Sequence, residues 1–465
     1  MAETMTMHWL DWVVVALFFV LVLWVGIRSG KCINSSTDFF VGGGKIPWWM
    51  SGISHHVSGY SGVVFVGYAG IAYAQGMSIY FWWAVNIALA TALASVTIIP
   101  RWPRLRRALG IESPTEYLQM RYNRAAQLLI AISGIGSKLL DVAAKWTSIG
   151  ILLHGFTGMP IWVGVIMKLG DYGLSIFSVF SALPEANVSV FNAGRGQGSL
   201  SWTLLYFFVI FFSYSGGTWN LAARFISTSN AKEAKKAGLF SAALYLVWPF
   251  ILFFPMWCGP LLFPGMDQAT AEASLYATLT NTFLPVGMVG LVLASMFANT
   301  MTMCNSDANT ISAVLTRDIL PIFNPKILQA SERKSLWYAR ITTIIFTALT
   351  VFVALFSDYF GGVTGLILTW FSALLGPTAI PLLLGLFPAF KYCDAKAAII
   401  SVLAGLGVFV LTKMGFTMEA DIALIAPLAV SFVFYAGIGL INKYALKMQV
   451  KPEVEDLMVK LGKDE

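Results

Sequence analysis

Charged residues are scarce in this chain: they make up 11% of its 465 residues, against about 25% in a soluble protein. With 57% hydrophobic residues and a mean hydropathy of +0.74, that scarcity excludes a soluble globular domain and leaves a polytopic integral membrane protein. Cysteine is sparse too. The four present, Cys32, Cys258, Cys304 and Cys393, have no metal-type spacing, which argues against a disulfide framework and a zinc site alike. No P-loop occurs, so a nucleotide-driven pump is not expected. His154 has no Ser or Cys partner in a hydrolase arrangement and paired carboxylates at membrane depth are lacking, so the expectation is no enzyme. Trp9–Ile27 lacks a basic flank and a small-residue cleavage site and reads as a retained helix, not a leader.

What the chain does have is a series of apolar runs, and one of them is unusual. Ile46–Gly76 (IPWWMSGISHHVSGYSGVVFVGYAGIAYAQG) is long enough to cross a bilayer, which takes about 20 residues as a helix. Its middle, Ser51–Gly62, is rich in Ser, Gly and His. Backbone freed by a break is tolerated within a membrane only where protein or a water-filled cavity satisfies it, and broken helices at the midplane are where secondary transporters hold ions and substrate. The stretch therefore reads as the wall of a translocation site. The competing reading is a glycine-rich packing helix.

Taken in order, the runs give about 11 crossings: Trp9–Ile27, the broken stretch, Met77–Ile99, Ala126–Leu153, Trp202–Thr218, Leu239–Phe263, Leu284–Leu315, Ile341–Phe356, Val363–Phe387, Ala397–Leu411 and Ile422–Ile441. With the N-terminus outside, the loops that fall inside hold 25 of the 30 Lys and Arg, a strong positive-inside asymmetry. This accounts for the net charge of +7 without nucleic acid. It predicts a multi-pass cell-membrane protein (the inner membrane in a bacterium, given the compact loops), N-terminus outside and C-terminus cytoplasmic, with an amphipathic tail from Lys443. The region after Leu153 breaks the pattern. Ile161–Met167 is a third of a crossing and Lys168–Ser199 is mixed and Gly-rich, yet both flanks belong outside, so an even number of crossings is missing there.

Thr37–Trp49 (TDFFVGGGKIPWW), Ser113–Asn123 (SPTEYLQMRYN), Arg224–Lys236 (RFISTSNAKEAKK), Gly376–Phe387 (GPTAIPLLLGLF) and Asp394–Gly405 (DAKAAIISVLAG) follow one another in an order that resembles the sodium:solute symporter family, its sugar and sialic-acid branches especially. The resemblance implies an all-α inverted-repeat bundle whose first and sixth core helices are broken, the sixth at Ser213–Gly217. It also implies that the fourth and fifth core helices are lacking. On this reading 1–465 is one transmembrane domain: an N-terminal helix and loop (1–45), an incomplete first repeat (46–167), an extracellular segment (168–199), a second repeat (200–390) and C-terminal helices with a cytoplasmic tail (391–465).

The resemblance also implies sites. Na⁺ would be bound by the carbonyls of Val57 and Tyr60 and the hydroxyl of Thr302. Met303 stands where a second hydroxyl is common, and a thioether cannot replace it for a hard ion. Thr302 also fits helix-interface packing. Solute would meet His56, Ser58 and Ser61 on the first helix, Tyr214 as an aromatic gate on the sixth, and more weakly Trp370 and Ser372 on the tenth. Of the adjacent His55 and His56, 100° apart on a helix, at most one faces the cavity. Lys138, Asp141 and Lys145 share one face at i, i+3 and i+7. Either the row nearly neutralises itself, or its surplus positive charge marks an anionic substrate with Lys138 as its anchor. Asp307, at membrane depth, is either a second cation or proton site or a salt-bridge partner of a lysine. The function expected is sodium-coupled symport of a small polar solute such as a sugar or sugar acid, with the solute, Na⁺ and the bilayer as partners. A transport-incompetent sensor and a proton-coupled carrier are the alternatives.

Overall fold

A computed structural model describes residues 8–155, 179–194, 196–285, 287–356, 359, 366, 375–413 and 420–462. Among them nine helices are long and apolar enough to cross a membrane, and a tenth span is a helix pair bent by 48°. The remaining expected crossing, Val363–Phe387, is described at 366 and from 375 on. The stretch 156–178, which contains the Met167–Lys168 junction, lies outside the described residues, as do Trp370 and Ser372. Described residues 179–199 hold two single helical turns, Val179–Ala182 and Glu185–Val188, and no crossing.

Helix α1 (Trp9–Gly30) stands at the edge of the bundle with most of its apolar side chains exposed, the pattern of a helix facing lipid. Its buried Asp11 is the exception. Asp11 Oδ1 accepts hydrogen bonds from the backbone N–H groups of Gly287 and Gly290, both at 2.8 Å, at the start of the helix Met288–Val314, where a carboxylate complements unpaired N–H groups and the helix dipole.

The first core helix is α2 (Trp48–Val57), followed by an unwound link and then α3 (Gly62–Phe65) and α4 (Gly67–Gln75). Then come α5 (Asn86–Thr97), the basic loop helix α6 (Arg101–Leu109) and the long α7 (Arg124–Gly155). The sixth core helix is α8 (Leu200–Phe212), a π-helical turn over Ser213–Gly217, and α9 (Trp219–Ile226). Next are α10 (Ala231–Trp257), α11 (Gln268–Phe283), α12 (Met288–Val314) and α13 (Glu332–Ala354). Last come α14 (Gly376–Leu384), α15 (Ala395–Lys413), α16 (Ala420–Leu440) and the tail helix α17 (Pro452–Gly462).

Glycine sets the closest packing. Helix α10 lies along α2 and α5, and a Cβ on Gly52 would come within 2.8 Å of the Ala237 carbonyl, while one on Gly59 would overlap Tyr245 Oη. Both glycines thus let α10 pack closely against the broken stretch.

Segments that the charge pattern put on one side of the membrane meet one another. Ile46 pairs with Thr228, Arg106 Nη2 donates to the carbonyl of Thr228 at 2.8 Å, and Arg317 pairs with Glu116 at 2.9 Å. The amphipathic tail is ordered rather than loose: α17 buries Val454, Leu457, Met458 and Leu461 against α6, and Arg104 donates to its last carbonyls at Leu461, 2.9 Å away. On the other side, Met77 N–H donates to Asn187 O at 2.8 Å and Trp257 Nε1 to Gly76 O at 3.0 Å. Helix α11, which the sequence reading left unassigned, also lies here along α4. Cys32 is the exposed thiol of the four, while Cys258, Cys304 and Cys393 are buried, and burial pushes the Cys393 thiol up to about 11. A membrane-impermeant maleimide is therefore expected to label Cys32 alone, in inside-out but not right-side-out vesicles; labelling of right-side-out vesicles would invert the assigned topology.

Candidate transport site

Both breaks are real and both face the centre. Helix α2 ends at Val57, whose carbonyl accepts from Tyr60 N–H at 3.1 Å in a tight turn. The Tyr60 carbonyl accepts no backbone hydrogen bond among the described residues. In the sixth helix Gly216 takes φ +123°, a value that L side chains rarely adopt, and Trp102 Nε1 caps the freed Ser215 carbonyl at 2.9 Å. Ser213 and Thr218 hydroxyls bond across this break at 2.7 Å. Helix α14 covers it, with Ala379 against Gly217.

Between the breaks lies a central cavity of about 60 Å³, to which Ser58 and Ser61 of the first helix, Tyr214 of the sixth, and Asp141 and Lys145 of α7 contribute. Three expected solute residues are thus brought together. His56 and Lys138 are not among the lining residues. His56 turns to a separate side cavity of about 600 Å³, shared with Val57, Tyr60, Asn299 and Thr302, because its ring packs between Tyr60 and Tyr245. His55 is fully buried, with Nδ1 2.7 Å from Ser241 Oγ and Nε2 3.3 Å from the Tyr214 carbonyl, so neither histidine of the pair faces the centre.

Helical phase separates the polar residues of α12. Ser295, Asn299 and Thr302, at i, i+4 and i+7, face the side cavity. Thr300, on another face, reaches the break itself: its Oγ1 accepts from Gly62 N–H at 2.9 Å. Met303, one turn on, lines the central cavity. The Thr302 hydroxyl donates to the Ala298 carbonyl at 2.7 Å and keeps its lone pairs for another partner. Val57, Tyr60 and Thr302 therefore border one space, with the buried, unpartnered Oδ1 of half-buried Asn299 beside them. The set is all oxygen, which suits a hard cation. Thr300 is the residue missed, and the available signal was weak, since Thr and Asn crowd several faces of this helix.

Lys138, Asp141, Lys145 and Asp307 close into a ring. Lys138 Nζ lies 2.7 Å from Asp141 Oδ2 and 2.7 Å from Asp307 Oδ1; Lys145 Nζ lies 2.9 Å from Asp141 Oδ2 and 2.5 Å from Asp307 Oδ2. Lys138 also donates to Asn220 Oδ1 on α9 at 3.2 Å. All four charged residues are buried. Asp307 is thus a salt-bridge partner of two lysines, and the surplus charge that the α7 row carries alone is cancelled. That removes the surplus-charge argument for Lys138 as an anion anchor.

A family profile described as "Sodium:solute symporter family" matches residues 39–183 and 156–405. Among curated proteins, the chain is 26% identical to the sodium/sialic acid symporter NanT of Aliivibrio fischeri, over 91% of this chain and 90% of that one. It is 23% identical to the human sodium/iodide cotransporter (85% and 68%) and 22% identical to the sodium/glucose cotransporter of Vibrio parahaemolyticus (86% and 84%). A substrate-bound, outward-open Na⁺-coupled sialic acid symporter superposes with a TM-score of 0.74 at 17% identity, covering 93% of this chain and 97% of that one. The nucleobase-cation-symport-1 transporter Mhp1 gives 0.51 at 14% identity, over 90% and 96%. With two broken spans meeting at mid-bundle and the profile running over most of its length, the chain belongs to the sodium:solute symporter family.

Proposed function

We propose that the chain is a sodium-coupled symporter that carries a small polar solute inward by alternating access, with its N-terminus outside and C-terminus in the cytoplasm. The observation that carries this reading is the meeting of the two unwound links around one hydroxyl-lined cavity, beside an all-oxygen set on α12. In this scheme Na⁺ is cargo. The carbonyls of Val57 and Tyr60 and the hydroxyl of Thr302 hold it on the α12 side of the first break, and Ser58, Ser61 and Tyr214 receive solute on the other. Ion binding ties the first helix to α12 in one conformation, and solute affinity rises because the ion favours that conformation. Asp307 is held between two ammonium groups and so is not a free carboxylate for a second ion.

Uptake of radiolabelled solutes into proteoliposomes, with and without a Na⁺ gradient, tests the proposal. Accumulation that ignores Na⁺, or binding with no accumulation, would overturn it. Two substitutions then separate the hydroxyls of α12. Thr302→Ala is expected to raise the Na⁺ concentration for half-maximal uptake about tenfold, the effect of a lost interaction of about 1.4 kcal/mol. Thr300→Ala is expected to lower the maximal rate instead, because its partner is the backbone of the moving helix; equal Na⁺ half-saturation in wild type and Thr302→Ala would remove Thr302 from the ion site.

A further inference from the structure

The ion ring fixes what charge the central cavity can accept. Two ammonium groups and two carboxylates sum to zero, each ion touches both ions of opposite sign, and no other charged side chain is among those lining the cavity. An anionic solute entering here would meet no uncompensated positive charge among the lining side chains, and its desolvation would go unopposed by them.

The ring nevertheless presents two unused groups to the cavity. Both lysines bind Asp141 through Oδ2, so Oδ1 has no hydrogen-bond partner among the described residues, although Asp141 is 5% exposed and lines the cavity. Lys145 has three N–H groups and spends two, on Asp141 and Asp307. It too lines the cavity. One wall therefore offers a charged acceptor and a charged donor side by side. Vicinal hydroxyls answer such a pair well: one O–H donates to the carboxylate while the neighbouring oxygen accepts from the ammonium. Charge-assisted hydrogen bonds of this kind are about twice as strong as neutral ones. Ser58, Ser61 and Tyr214 supply further hydroxyl partners around the same space.

We propose that the solute carried is a polyhydroxylated molecule without net charge, read by Asp141 Oδ1 and Lys145 Nζ. This deepens the symporter reading and rests on its choice of the central cavity as the solute site. It also assigns α7 a specificity role that falls on Asp141 and Lys145 and not on Lys138.

The test uses the full-length purified chain in detergent with Na⁺, and matched probes that differ in charge: glycerol and glycerate, glucose and glucuronate, and lactamide and lactate as a pair without vicinal hydroxyls. Binding is followed by thermal shift and confirmed by calorimetry. At least one uncharged polyol is expected to bind, with its carboxylate partner at least tenfold weaker and lactamide not binding. Asp141→Asn is expected to weaken the polyol at least tenfold. If that variant does not fold, the comparison of pairs in the wild type decides alone. Carboxylates binding as well as their uncharged partners, or no polyol binding at all, would overturn the proposal. The symporter reading fails separately: polyol binding unaffected by Na⁺ would sink sodium coupling and leave the charge rule standing, whereas Na⁺-dependent binding of a carboxylate would do the reverse.

Discussion

Lys145→Met is expected to lose about 3–5 kcal/mol of stability, because it leaves two buried carboxylates sharing a single ammonium. The side chains of Lys145, Asp141 and Asp307 are 3%, 7% and 0% exposed, so water cannot replace the missing charge. The readout is a lower thermal midpoint in detergent and a smaller yield of monodisperse protein. Lys145→Met combined with Asp307→Asn restores neutrality and is expected to recover much of the loss, since neutralising both members of a buried pair is cheaper than stranding one. A single variant melting with the wild type would show that the ring does not hold α7 to α12.

The second large effect is expected at Gly216. Its φ of +123° is costly for any side chain, by about 1–3 kcal/mol, and a Cβ there would come within 2.6 Å of Trp102 Nε1. Since Trp102 holds the Ser215 carbonyl, Gly216→Ala should displace the sixth-helix break and with it Tyr214. Uptake per folded molecule is expected to fall about 10²-fold, the scale of a misplacement of about 1 Å at a reactive or binding centre. Gly136→Ala is the control. Its Cβ meets nothing within 4 Å, and Ala is preferred to Gly within a helix by about 1 kcal/mol. Equal losses from the two substitutions would mean that the break has no special role.

Much of this architecture is legible in the sequence because a bilayer allows few solutions. Apolar runs of crossing length can only be helices, and the clustering of Lys and Arg puts their loops on sides that the contacts Ile46–Thr228 and Arg317–Glu116 then join. The first break is visible because Ser, Gly and His interrupt a run that lipid would keep apolar. The ring is only half visible. Three of its charges sit on one helix face, but Asp307 lies 169 residues beyond Lys138, and nothing local in the sequence shows that they meet. Rotational phase is equally hidden. Thr300 and Thr302 are two residues apart, hence about 200° apart around a helix, and sequence alone cannot say which faces the break. The direction of His56 is hidden for the same reason: its ring packs against Tyr60 and against Tyr245, which lies far along the chain. Helix α11 escaped notice because its Ala- and Thr-rich run of 16 residues is too short and too polar for the spanning pattern.

The four-ion ring has a mechanical corollary. By riveting α7 to α12 through the two ion pairs of Asp307, with Lys138 and Lys145, it makes those two helices a single stiff plank. Whatever swings during a transport cycle must pivot against that plank, and the compliant points left in the neighbouring helices are the unwound links after Val57 and at Ser213–Gly217. On the proposed scheme the joints and the binding surfaces are the same few residues, so that loading the cavity would also stiffen the hinge.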